Sequence, residues 1–267
     1  MLKRVFSKKN RVLLAELVRT DFKLRYQDSI LGYAWSLLRP LFIFVILYIV
    51  FVKFLKVGAG TPHYAQYLLF GIVIWNFFAE MTLQSLGSIV GRGDLIRKIR
   101  IPRWIIVLSS SLSALINLFL NLIIITIFMI IGHVHPSNMI ILFLPLLLEV
   151  YLFALGISFF LSAAFVKYRD VSYIWEICLQ AGFYLTPILY PLSRITNVTF
   201  QKLMLLNPMA QALQDSRYVL ITKRTIIPNH LFHGRWYEYV PFIIIGLVLV
   251  IGISYFKKES KFFGENI

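Results

Sequence analysis

The sequence lacks most of what an enzyme needs. Among its 267 residues there is one cysteine, Cys178, so no intrachain disulfide can form and the redox compartment cannot be read from it. Acids are few, 12 Asp and Glu against 27 Lys and Arg, and they do not gather into catalytic clusters. No Gly-x-x-x-x-Gly-Lys-Ser/Thr loop is present, because Gly91-Arg92-Gly93 is too sparse to count. By that mechanism the chain does not hydrolyse ATP, and no cofactor or metal site is expected in it. His133-x-His135 has metal-ligand spacing if outer loops converge, but ordinary surface histidines, like His63, His230 and His233, explain it as well. No internal repeat is visible, so the inverted-repeat mark of many secondary transporters is missing. The first apolar run starts some forty residues in, behind a charged segment, which predicts no cleaved signal peptide.

What the chain has in abundance is apolar length. Hydrophobic residues make up 59%, and long runs fall at 41–55, 64–86, 104–132, 139–166, 173–190 and 239–256. Most can cross a hydrocarbon core of about 30 Å as a helix. Threading them alternately places 19 of the 27 basic residues on the side that holds both termini. By the positive-inside rule that side is cytoplasmic. The same distribution accounts for the net charge of +15 without nucleic acid, for which no binding motif is present. The expected fold is an all-α integral membrane protein of six spans. Its parts are a cytoplasmic N-terminus (1–36), a transmembrane domain (37–256) with a cytoplasmic loop at 87–103 and an outer segment at 191–238, and a cytoplasmic tail (257–267).

Residues 11–27 read as an amphipathic helix, with Leu13, Leu14, Leu17, Val18 and Leu24 on one face and Glu16, Arg19 and Lys23 on the other. Such a helix suits the membrane surface and can also dock a partner. In the second connection Asp94 can cap a short helix, with Leu95, Ile96 and Ile99 on one side and Arg97, Lys98 and Arg100 around the rest. Charge alone serves topology; the apolar knobs suggest a groove in another protein. On the outer side Pro187 and Pro191 break the fifth run, and Asn207-Pro208-Met209 starts a helix with Asn as cap and Pro in its first position. Irregular backbone at membrane depth must be buried in protein or line water, so this segment is a candidate gate, or an ordinary outer cap. The sequon at Asn197 matters only in a eukaryotic host.

Charged side chains inside a bilayer usually face a bundle interior or an aqueous path. Glu80, Glu149 and Glu176 are the acids in or near the spans, and Glu80 and Glu176 suit interhelical contacts or an entrance better than a proton relay. Asn117 and Asn121, one turn apart, read as interhelical glue. Aromatics form 16% of the chain. Most belong to interfacial belts or face lipid, but Phe44, Tyr48 and Phe51 share one face of the first span, and Tyr184 and Tyr190 lie late in the fifth. Aromatic faces hold the C–H groups of sugar rings. With Trp35, Glu80 and Glu176, the residues Phe44, Tyr48, Phe51 and Tyr184 are the candidates for a substrate path.

In ordered combination the amphipathic helix, Leu31-Gly32-x-x-Trp35 with Pro40, Ile101-Pro102-Arg103, Tyr168-Arg169-Asp170-Val171 and Leu206-Asn207-Pro208-Met209 resemble the transmembrane subunits of ABC-2 type exporters, in the polysaccharide and polyol branch. The resemblance spans essentially the whole chain. It implies a permease in the bacterial inner membrane, paired with a second copy and with two separate ATPase subunits that bind ATP and Mg, and exporting a lipid-linked polysaccharide. It also implies that residues 94–101 form a coupling helix, that Arg169 and Asp170 make a second contact, and that short re-entrant gate helices lie between the fifth and sixth spans. Teichoic acid, lipid and drug exporters of the same type remain alternatives. An ion-coupled secondary transporter or flippase predicts paired intramembrane acids, and a glycan-processing enzyme predicts a catalytic cluster; the sequence shows few features of either.

Overall fold

The computed structural model describes residues 7–25, 29, 31–32, 34–98 and 101–263, and only the backbone of residues 22, 24 and 25. Among the described residues all regular structure is helical. The first helix, α1 (Lys8–Arg25), turns Leu17 inward and leaves Glu16, Arg19 and Lys23 exposed, the split expected of its pattern. Leu24, assigned to the same apolar face, has its side chain outside the described residues. α1 lies along the third span rather than standing alone.

Helix α2 (Ala34–Tyr48) runs on as a π-helical stretch, Ile49–Phe54. It starts before the hydropathy rises, so Trp35, Arg39 and Pro40 are part of the span. A proline inside a helix frees the carbonyl four residues earlier. Here that is Ser36, and the Asn121 Nδ2 donates to it at 3.3 Å. Helix α3 (Tyr64–Ser88) is the axis of the molecule: 72% of its most apolar window is buried, against 11% to 33% in the other long helices. Around it pack α2, α5 (Trp104–Ile131), α6 (Phe143–Lys167) and α7 (Val171–Leu185), while α4 (Gly93–Lys98) is a short helix between α3 and α5. The outer segment contributes α8 (Val198–Leu205), α9 (Pro208–Leu220) and α10 (Pro228–Phe232), and α11 (Val240–Glu259) closes the chain.

Among the described residues five helices, Ala34–Phe54, Tyr64–Ser88, Trp104–Ile131, Ile140–Lys167 and Trp236–Phe262, are long and apolar enough to cross a membrane. The run expected at 173–190 is different. Its helix, α7, has 15 residues, about 22 Å at the helical rise, which is short of a bilayer core of about 30 Å. Thr186, ahead of Pro187, is extended with ψ 137°, as a residue before proline prefers. The chain then continues to Pro191 as irregular backbone.

The longest seam joins α6 to α11. It is set by Gly156 and Gly252, which bring the two backbones together: a Cβ on either residue would run into the backbone of the other helix. Small residues at such crossings let helices in a membrane gain van der Waals contact where lipid offers no hydrophobic drive.

Candidate functional site

Three polar constructions stand out in an otherwise apolar molecule. The first lies at the basic end. Arg92, in the turn before α4, forms an ion pair with Asp21 of α1, and its Nη1 donates to Ser109 Oγ of α5 at 3.1 Å. Ser109 Oγ in turn donates to Asp21 Oδ2 at 3.2 Å. Both charged side chains are half-buried, at 18% and 19% exposure, and burial pulls the Arg92 guanidinium below its usual value. Charge-assisted bonds of this kind are stronger than neutral ones. One pair thus fastens the surface helix, the loop and the base of the third span.

Beyond Arg92 the loop is a single short helix. Asp94 was expected to cap it; instead α4 begins one residue earlier at the buried Gly93, and Asp94 sits in the first turn, where an acid still favours the helix dipole. Ile96 does not project outward. It packs against the cluster of Ile89, Ile106 and Val107 at the bundle base. Leu95 is half-buried, and Asp94, Arg97 and Lys98 are exposed. Ile99 and Arg100 lie outside the described residues. Arg169 and Asp170, at the next connection on this side, are exposed, and the Arg169 guanidinium lies 5.0 Å from the Phe165 ring centre.

The second construction is a cleft of about 510 Å³ between α2, α3 and α5. Glu80 of α3 is its centre. One carboxylate oxygen accepts from Gln84 Nε2 at 2.8 Å and the other from Asn117 Nδ2 at 2.7 Å. Asn121 Nδ2 is held by the Ser36 and Asn117 carbonyls. Both asparagines are buried, at 7% and 5% exposure, and the Oδ1 of each has no hydrogen-bond partner. A buried acceptor left unpaired costs about 1–3 kcal/mol. Trp35 and Arg39 stand exposed on the wall nearest the α2 start.

The third lies at the opposite end and was not anticipated. Arg217 of α9 is fully buried. Its Nη1 donates to the Pro187 carbonyl at 2.5 Å, and its Nη2 to the carbonyls of Ile188 at 3.0 Å and Tyr67 at 2.9 Å. Its charge lies 3.5 Å from the centre of the Tyr67 ring. Gly71 leaves the space for the guanidinium. The Tyr64 hydroxyl donates to the Leu189 carbonyl, and Tyr67 donates to Gln214 at 2.9 Å. Helix interruption at Pro187 orphans carbonyls, and five N–H donors in one fork answer them. In the sequence Arg217 reads as one of six outer basic residues; only its place on the polar-and-small side of α9 hints at burial. On the same helix Asp215 accepts from Gln211 at 2.6 Å, and Glu149 of α6 is buried near Asp215 and Gln211.

The remaining candidates are dispersed. Phe44 is buried, edge-on to Phe128 at 5.7 Å and 5.6 Å from Tyr48; Tyr48 and Phe51 are half-buried. Glu176 and Tyr184 are exposed on α7, where Tyr184 offers its carbonyl to the Tyr190 hydroxyl at 3.0 Å. Pro191 and Pro208 are buried, as are Pro187 and Met209. Asn207 caps α9 as expected, its Oδ1 accepting from the Met209 N–H at 3.0 Å. His133 and His135 are exposed, and among the described residues no three His, Cys, Asp or Glu side chains gather.

The sequence profile of the family described as ABC-2 type transporter matches residues 13–221. An O-antigen export system permease protein RfbA of Klebsiella pneumoniae is 28% identical over 256 residues, covering 95% of this chain and 94% of that protein, and a second from the same species aligns over the same length at the same identity. The RfbA permease of Myxococcus xanthus is 29% identical over 268 residues, covering 96% of each.

Proposed function

The chain belongs to the ABC-2 type transporter family, a multi-pass membrane family of transport components, and on that premise we propose that it is the permease subunit of an exporter moving a lipid-linked, O-antigen-like polysaccharide from the cytoplasmic side of the bacterial inner membrane. Two copies enclose the path, and each rests on a separate ATPase subunit that binds ATP and Mg. Similarity along nearly the whole length of three O-antigen export permeases supports the substrate class. In this reading both termini are cytoplasmic, α7 with the irregular stretch to Pro191 makes a further crossing, the fifth of six in chain order, and α8 to α10 gate the outer mouth.

The Asp21–Arg92–Ser109 joint is the observation that carries the mechanism. Movement of the partner subunits pushes on α4 through its exposed Asp94, Arg97 and Lys98, with Arg169 and Asp170 as a second contact. Because Arg92 ties the loop to α1 and to the base of α5, that push moves three elements together instead of bending one loop. The spans then shift between a closed and a conducting packing, and the permease binds its partner differently in each. No bond of the substrate is made or broken by this chain. Trp35 and Glu80 line the cytoplasmic part of the path, the half-buried Tyr48 and Phe51 lie toward its outer end, and Glu176 and Tyr184 face it from α7.

The test is co-purification with the candidate ATPase from the same gene cluster. Arg97→Glu with Lys98→Glu is expected to abolish assembly, and Arg92→Ala to leave assembly intact while uncoupling transport from hydrolysis. A chain that never associates with an ATPase, yet moves substrate on an ion gradient, overturns the proposal.

A further inference from the structure

The groove between α1 and α5, of about 830 Å³, has two unlike walls. On α1 it is lined by Arg11, Ala15, Arg19 and Lys23, which follow one another at a spacing of four and so form a stripe along the helix, with Leu14 and Val18 beside them. The three cations are exposed, and among the described residues no acid lines the groove. Asp21, which falls between Arg19 and Lys23 in the sequence, is held by Arg92 and Ser109. On α5 the wall is Leu112, Leu115, Ile116 and Phe119, apolar throughout, with Ile116 and Phe119 40% and 50% exposed. At 3.6 residues per turn these four share a face about half a turn away from Asn117 and Asn121, so the groove lies across α5 from the Glu80 cleft. From Ser109, where α5 meets Asp21, to Phe119 is about 15 Å along the axis, half of a hydrocarbon core of about 30 Å. The groove thus runs from a cationic rim to the depth of one leaflet.

We infer that this groove seats one anionic glycerophospholipid, its phosphate against Arg11, Arg19 and Lys23 and an acyl chain along the α5 wall. Guanidinium and ammonium groups bind phosphate oxygens by charge-assisted bonds, and the exposed aliphatic and aromatic side chains of α5 take the hydrocarbon. A zwitterionic lipid satisfies the apolar wall but brings a cation of its own to three others. A soluble partner has no access to Phe119 inside a span. A second copy related by a two-fold axis through this face sets each cation stripe against its own counterpart. The lipid fills the corner beside the Asp21–Arg92–Ser109 joint and bridges α1 to α5 with groups that neither helix supplies. The inference goes beyond the export reading and does not depend on which substrate is moved.

The experiment is native mass spectrometry of the full chain released from detergent, titrated with dioleoyl phosphatidylglycerol or dioleoyl phosphatidylcholine, which differ only in the headgroup. Tighter retention of phosphatidylglycerol is expected. Arg19→Gln with Lys23→Gln is expected to weaken it about fivefold for each cation removed, whereas Lys257→Gln with Lys258→Gln, at exposed lysines ending α11, leaves it unchanged. Ala15→Trp keeps every charge but fills the groove, and is expected to lower phosphatidylglycerol binding as well. Equal retention of the two lipids overturns the inference. So does an equal loss in the Lys257 and Lys258 variant, which would mean diffuse attraction to net charge, or unchanged binding in Ala15→Trp, which would place the lipid elsewhere. Displacement of phosphatidylglycerol by an equimolar polyprenyl phosphate also overturns it, since the groove would then belong to a carrier lipid.

Discussion

Arg217 shows how one side chain can stabilise an irregular backbone. Its guanidinium meets carbonyls that Pro187 leaves without helical partners, so removing it exposes several acceptors to an apolar surround at once. Arg217→Met is expected to destabilise the protein by about 3 kcal/mol, read as a lower Tm in detergent. Arg194→Met, at an exposed arginine that also binds loop carbonyls, is expected to cost less than about 1 kcal/mol. Asp215 gives a pH signature at the same end. Burial pushes its carboxyl up to about 6, with the Gln211 amide opposing and Glu238 adding to the shift, and Glu149 faces it from α6. Since the folded value lies above the ordinary carboxylate value, folding favours the protonated form. The stabilisation is complete below the unfolded pKa and is lost as the pH rises through about 6. Tm is therefore expected to fall between about pH 4 and about pH 6, and Asp215→Asn to flatten that slope. None of this was legible residue by residue: an arginine in a mixed outer segment looks solvated until the break at Pro187 and the α9 helix are brought face to face.

At the scale of elements, the helices that the pattern describes best are those whose register is set by local chemistry. Asn207-Pro208 starts α9 where expected, because cap and proline act within one turn. The α1 face is likewise set by its own 3.6-residue period. Where a neighbour intervenes, the pattern falls short. Helix α2 begins at Ala34, before the apolar run, because Asn121 answers the carbonyl that Pro40 frees. Ile96, read as an outward knob, turns into the bundle base. The α6–α11 seam is decided by two glycines that no period marks. Gly252→Leu is expected to separate the helices and lower Tm by several degrees, and Gly156→Leu to do the same. Gly246→Ala, on the same α11 with open space around its Cβ, is expected to leave Tm unchanged or raise it slightly, since alanine is the better helix former.

For the whole molecule the question is parity. Among the described residues five helices are long enough to span, which alone would set the termini on opposite sides; counting α7 with its irregular extension returns them to one side. The charge distribution favours the second arrangement. Green fluorescent protein fused after the C-terminus is expected to fluoresce, and alkaline phosphatase inserted in the loop at 222–227 to be active; the opposite pattern would remove α7 as a crossing. The sequence by itself determined the membrane, the charged side, the family and the lack of a nucleotide loop, because hydropathy, charge bias and short motifs act through local composition and need no partner in space. The tertiary structure alone decided that Asp21 meets Arg92, that Glu80 gathers two amides around a cleft, and that Arg217 is buried. Each joins residues dozens of positions apart, and a polar side chain in a membrane protein takes its meaning from the group that answers it.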